Sequence, residues 1–268
     1  LERSLKIRIA LSVLPLLLAL ATGCELLDAP SQSHLVLGNP SNAGTDPNNY
    51  LIEKPQYALS YNRERGTPNW VAWQLNSQWL GIAERQDDFR PDESLPSEWY
   101  RVKSRDYTRS GYDRGHMTPS ADRTASIADN SATFLMTNIV PQTPKNNRGA
   151  WKALEEDCRE LVDRGKELYI IAGVYGQREK IGKDKQVTAP THTWKVVVVL
   201  DSPGRGASGV SEQTRAIAVE IPNRKNTSAD WKRYRVSVDE LEAKTGYDFL
   251  DRVPESIQKA IESRVDDR

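Results

Sequence analysis

Apolar positions along this chain fall into two rhythms. Short hydrophobic runs bounded by turn formers predict strands at 57–61 and 70–75, with Gly66-Thr67-Pro68 in the turn between them. Further runs at 133–140 (stopped by Pro141), 168–174, 194–200 and 216–221 predict four more. Four consecutive valines at 196–199 mark a fully buried central strand. The other rhythm is helical. Trp151, Leu154, Cys158, Leu161 and Val162 form one stripe over 148–164, with Gly165 as the stop. Ser237-Val238-Asp239-Glu240 is a capping-box pattern that opens a helix through Lys244, ended by Gly246, and a last amphipathic helix covers 254–264. Residues 80–112 are charged and aromatic without a period, which predicts loops with short strands. The sum is one mixed α/β domain spanning 50–268.

The N-terminal pattern differs. Arg3, Lys6 and Arg8 precede an almost unbroken apolar run to Ala21, followed by the small residues Thr22 and Gly23 before Cys24. A positive flank, a short apolar stretch and a small-residue end predict a secretory signal at 1–24 rather than a membrane span. Ala21-Thr22-Gly23-Cys24 also resembles a bacterial lipobox, so lipid anchoring through Cys24 and simple cleavage both stay open. Residues 25–49, rich in Asn, Pro, Ser and Gly, predict a flexible arm.

Composition narrows the chemistry. The 268 residues carry 37 basic and 37 acidic side chains, so any nucleic-acid binding must come from a local site and not from a basic surface. Removing 1–24 leaves 34 basic and 36 acidic groups. Two cysteines are too few for a disulfide framework. No Cys/His pairs at zinc spacing, no P-loop and no Gly-x-Ser-x-Gly elbow occur, which argues against zinc hydrolases, P-loop NTPases and α/β-hydrolases. Of three histidines, His34 lies in the expected arm and His192 reads as a structural residue before a buried strand. His116 stands in Asp113-Arg114-Gly115-His116, which alone reads equally well as a loop with a local ion pair.

Taken with Ser120-Ala121-Asp122-Arg123, Asn146-Asn147-Arg148, Glu155 and Arg159, that tetrad resembles the DNA/RNA non-specific endonuclease family, whose members have the ββα-metal (His-Me finger) site. The likeness runs from about residue 57 to the end and is nearest to the cyanobacterial sugar-non-specific nucleases; Thr118 departs from the family's usual alanine. The resemblance implies an α+β fold with a central antiparallel sheet and flanking helices. It implies hydrolysis of DNA and RNA, single- and double-stranded, to 5′-phosphate ends, with Mg²⁺ (or Mn²⁺) as cofactor and an inhibitor protein as a candidate partner. It assigns His116 as general base, Asn147 as the metal ligand and Glu155 as the group ordering metal-bound water. Arg159 and Arg85 fall on the scissile phosphate, and Asp113 and Arg114 on the histidine loop and substrate. Asn138 is grouped with the substrate side, supporting the site from its strand.

The chemistry of these residue types agrees. Histidine, with an ordinary pKa of about 6.5, accepts water's proton near neutrality, so activity should fall on the acid side. A neutral amide oxygen leaves Mg²⁺ its full charge to act on phosphate. Glu155 and Arg159, four apart on a helix, share a face with Asn147 just before the first turn; the plainer alternative is a surface ion pair worth roughly 0.3–0.5 kcal/mol. An exported nuclease is the leading reading, and a catalytically silent nucleic-acid-binding module on the same scaffold is its rival.

Overall fold

The computed structural model describes residues 34–268. The expected signal at 1–24 and the first part of the expected arm, 25–33, therefore lie outside the described residues. Four strands open the chain: β1 (Thr45–Asp46), β2 (Asn49–Lys54), β3 (Tyr57–Asn62) and β4 (Thr67–Leu75). β5 (Asp113–His116) and β6 (Ile139–Gln142) pair only with each other, and a short helix, α1 (Ile127–Ala132), lies between them in sequence. Helix α2 (Lys152–Asp163) follows, then β7 (Glu167–Tyr175) and a ribbon of β8 (Lys180–Ile181) and β9 (Val187–Thr188). The chain closes with β10 (His192–Leu200), β11 (Arg215–Pro222), β12 (Arg235–Val236), α3 (Val238–Thr245) and α4 (Glu255–Glu262).

All ladder pairings of the main sheet are antiparallel, in the order β1-β2-β3-β4-β7-β10-β11-β12. Both faces are covered, which explains the valine run. Side chains alternate along a strand, so Val197 and Val199 enter one core with Trp151, Leu154 and Cys158 of the α2 segment. Val196 and Val198 enter a second core with Val238 and Leu241 of α3 and Ile261 of α4. By the same alternation Lys195 falls on the α2 face. Helix α3 begins and ends as its residues dictate: Ser237 Oγ accepts from the Glu240 N–H, and Gly246 closes it at φ 73°.

Three expectations are corrected. Only the end of 133–140 is a strand, and Pro141 does not stop it: the strand runs from Ile139 to Gln142. Met136–Asn138 forms a 3₁₀ turn, and Asn138 sits in that turn, with all of its amide bonded to Thr118 and Thr133 backbone. The stretch before α2 is not regular α-helix. Asn146–Trp151 makes a π-type turn with Gly149 outside helical geometry, which breaks the helix just where Asn147 leaves it.

The third correction concerns residues 34–49, which are packed, not free. Leu35, Leu37 and Ala43 enter the second core. His34, placed in the arm by sequence, is only 4% exposed: its Nε2 meets Pro55 O at 2.9 Å and its Nδ1 accepts from Gln74 N at 3.2 Å. Burial, with help from the Arg123 charge, lowers its pKa to about 4. The unfolded chain takes up this proton below about pH 6.5 while the folded one refuses it down to about 4, so stability is lost as pH falls through that window, at up to about 1.4 kcal/mol per pH unit. Urea titrations at pH 7 and pH 5 should show a smaller loss for His34→Gln than for the parent; equal losses would contradict the assignment.

Candidate active site

The antiparallel pair β5–β6, followed by the π turn and α2, forms a ββα unit beside the main sheet, with Asp113 opposite Gln142 and His116 opposite Ile139. Gly115 is required here. A Cβ at that position would stand 1.8 Å from the Gln142 side chain, which lies across the strand and donates to Asn146 Oδ1. Asn146 in turn donates to Thr193 Oγ1 of β10, so the start of the turn is tied to the main sheet.

Two contacts lock the helix segment to β5. Asp113 accepts from Asn147 Nδ2 at 2.9 Å and from Arg148 Nε and Nη2 at 2.8 and 2.7 Å. Three residues further along the strand, the His116 carbonyl accepts from Trp151 Nε1 at 3.1 Å. Burial alone would raise the Asp113 carboxyl, but the bonds from Arg148 and Asn147 outweigh it and hold it below its ordinary value. With its NH₂ group on Asp113, Asn147 is left with its amide oxygen to offer, and that oxygen takes no hydrogen bond among the described residues.

His116 is 8% exposed. Its ring meets Phe134 edge-on at 4.8 Å and Phe89 at 5.4 Å, and its Nε2 is buried without a partner. Burial, then the Arg85 and Arg114 charges, lower its pKa to about 3. The imidazole is thus neutral throughout the physiological range, and the acid-side titration expected near 6.5 moves lower. Both arginines lie over the same aromatics: Arg85 is 4.8 Å from the Phe134 ring centre and Arg114 is 4.3 Å from that of Phe89.

The 3₁₀ turn Ser120–Asp122, just after His116, gathers further residues. Arg85 Nη1 donates to Ser120 Oγ at 2.8 Å, and Arg159 Nη1 donates to Asp122 Oδ1 at 3.0 Å. Trp73 Nε1 holds the other oxygen of Asp122. Buried Arg123 fastens this turn to the sheet through the carbonyls of Gln56 and Gln74. Glu155 lies near the same group, with Lys195 Nζ 3.8 Å away. Lys195 is 1% exposed and sits 4.1 Å from the Trp151 ring centre, a cation held between tryptophans under the site. Burial raises Glu155 to about 7; Lys195 opposes that rise, and Asp122 adds to it.

Arg85, Asp113, Arg114 and Asn147 line one open groove of about 350 Å³ with Phe89, Tyr112 and Arg148. Three arginines against two aspartates line it, so a local basic site exists on a chain of zero net charge. His116 lies behind Phe89 and the two arginines. Glu155 and Arg159 do not line the groove; Arg159 is tied to Asp122 of the turn that also holds Arg85, and Glu155 lies beside them. Asn138 does not line the groove: it is fully buried and its amide positions the 118 loop, so it stands in the structure as a support and not as a groove residue. Sequence reasoning missed Lys195 and the role of Asp122. The one signal for Lys195 was a lone charge inside an otherwise apolar buried strand, a placement that demands a partner.

The sequence profile of DNA/RNA non-specific endonuclease matches residues 39–256. The chain belongs to the DNA/RNA non-specific endonuclease family. A nuclease from Nostoc sp. is 59% identical over 263 residues, covering 93% of this chain and 96% of that protein. The mitochondrial nuclease EXOG of Danio rerio is 36% identical over 209 residues, covering 72% of this chain and 59% of its own. Among solved structures, that of the EndoG/EndoGI complex matches with a TM-score of 0.68 at 27% identity, covering 83% of this chain and 91% of the matched one. The α+β expectation, with its large antiparallel sheet and flanking helices, is met, and the protein is an endonuclease of this class.

In this nuclease the Lys195–Glu155 contact carries a test. Replacing Lys195 with Met removes the charge that keeps Glu155 ionisable, so its pKa should rise further. A rise of about one unit cuts the ionised fraction at pH 7 roughly fivefold. The variant should lose activity at pH 7 and regain it at pH 9, with the acid limb of kcat/KM displaced upward. An unmoved pH profile would show that Glu155 is not read by the reaction.

Proposed function

We propose that this protein is an exported, Mg²⁺-dependent endonuclease that hydrolyses DNA and RNA without sequence preference, leaving 5′-phosphate ends. The observation that carries the reading is the pairing of Asn147: Asp113 holds its NH₂ group, which leaves its neutral oxygen free on a residue that lines the groove, on the same ββα unit that carries His116. This donor suits a hard cation that keeps most of its waters. Among the described residues, the one trio of His, Cys or carboxylate side chains close enough to enclose an ion lies elsewhere, at Asp239, Glu242 and Glu262, so the groove fits a hydrated ion on a single amide and not a closed cage. Bound there, Mg²⁺ would supply charge neutralisation on the phosphoryl and leaving oxygens.

The chain's own residues cover the remaining needs. His116, neutral in its aromatic pocket, takes the proton of the attacking water; Nε2 is enclosed, which leaves Nδ1 for that task. Arg85 and Arg159, both anchored on the Ser120–Asp122 turn, bind the scissile phosphate. Glu155 orders water, and because His116 titrates so low, the acid limb of activity belongs to Glu155. Arg114 and Arg148 bind flanking phosphates. Contacts to phosphate carry no base information, which suits cleavage without sequence preference. Export rests on the residue pattern of 1–24. A protein inhibitor is proposed as a partner by analogy with the EndoG/EndoGI complex.

Plasmid DNA and ribosomal RNA should both be degraded with Mg²⁺ and left whole with EDTA. His116→Ala should cut the rate by about 10²–10⁴-fold with an unchanged circular dichroism spectrum. Asn147→Ala should need far more Mg²⁺ to reach half-maximal rate. A fully folded parent that binds but never cuts DNA would instead support a silent binding module, and an active His116→Ala would remove the proposed base.

A further inference from the structure

Across the sheet from the groove, α3 and α4 pack through Val238, Leu241 and Ile261. Asp239 and Glu242 lie three apart on one face of α3, and Glu262 is the last residue of α4. One carboxylate oxygen from each lies within 4.8 Å of the other two. Acidic groups on a surface need no explanation, but Glu262 is different. It is 4% exposed, and its Oε1 is buried with no hydrogen-bond partner. The charged groups that act on it are Glu242, Asp239 and Asp248, all acidic. Burial and these neighbours push it up to about 8. It also stands at the carbonyl end of α4, where a negative charge is least welcome. Glu242 already accepts from the Phe249 N–H, and it too is raised, first by burial and then by Asp248 and Asp239. A buried carboxylate without donor or counter-ion is costly, and a cation held between the three side chains would relieve it.

We propose that Asp239, Glu242 and Glu262 form a calcium site, distinct from the catalytic groove, that ties α3 to α4. Calcium takes oxygen ligands at about 2.3–2.6 Å in adaptable geometry, so oxygens up to about 5 Å apart can flank one ion; magnesium, at about 2.0–2.1 Å in a strict octahedron, suits the wider spacing less well. Exposed Asp239 leaves an open side where water completes the coordination.

The test uses the full chain, stripped with EDTA, in an Asn147→Ala background so that the groove binds metal only weakly. Calorimetric titration with CaCl₂ should give one equivalent of binding, and Tm should rise with calcium more than with equal magnesium. Glu262→Gln and, separately, Asp239→Asn should lose both the heat and the Tm rise. Without calcium, Glu262→Gln should melt no lower than its parent, since an amide removes repulsion; this separates loss of the site from loss of the fold. No calcium heat in the Asn147→Ala protein, or responses that persist in both variants, would overturn the site. An equal response to magnesium would overturn its assignment to calcium.

Discussion

The Asp113 carboxylate is shared between the Asn147 amide and the Arg148 guanidinium, and this contact decides which way the asparagine faces. An amide on a π turn beside a kinked glycine has many orientations open to it. With Nδ2 bound to Asp113, the oxygen is the atom left to offer. The Trp151 bond to the His116 carbonyl acts at the other end of the same strand, so one short β-strand sets both the proposed base and the proposed metal ligand against one helix. Bonds that involve an ionised partner are stronger than neutral ones, and here a paired carboxylate provides the anchor.

Burial tunes the groups around that frame in opposite directions. The aromatic walls of Phe89 and Phe134 keep His116 neutral, which a base requires, while the arginines above the same rings supply positive charge without protonating it. Glu155 is pushed the other way, and a lysine wedged between tryptophans limits the rise. A protein with no net charge can therefore still concentrate positive charge at the proposed phosphate site, because these arginines are fixed by neighbours: Arg85 and Arg159 by one turn, Arg148 by Asp113.

Much of this was legible in the residues. The valine run, the stripe from Trp151 to Val162 and the Ser237 cap each declare an element through local chemistry, whereas His116, Asn147, Arg85 and Arg159 were singled out by the family resemblance, with residue types that suit phosphate chemistry. What escaped was non-local. Leu35 and Leu37 read as part of a loose arm because the core that receives them is assembled from distant parts of the chain, from Trp70 and Ala72 of β4 to Tyr169, Trp194 and Phe249. Asn138 read as a strand residue since its run is apolar, yet its amide is consumed by backbone groups of the 118 loop. Lys195 was hidden inside a hydrophobic strand, and its partners, Trp151 and Glu155, come from a helix some forty residues earlier.

The central claim is that Asp113 turns the Asn147 oxygen into a metal ligand beside His116. A crystal soaked with Mn²⁺ tests it most directly through anomalous scattering. The account predicts a peak within coordination distance of Asn147 Oδ1, on the groove side of His116. A peak on the Asp113 carboxylate instead, or an Asn147 oxygen turned away from the ion, would contradict it.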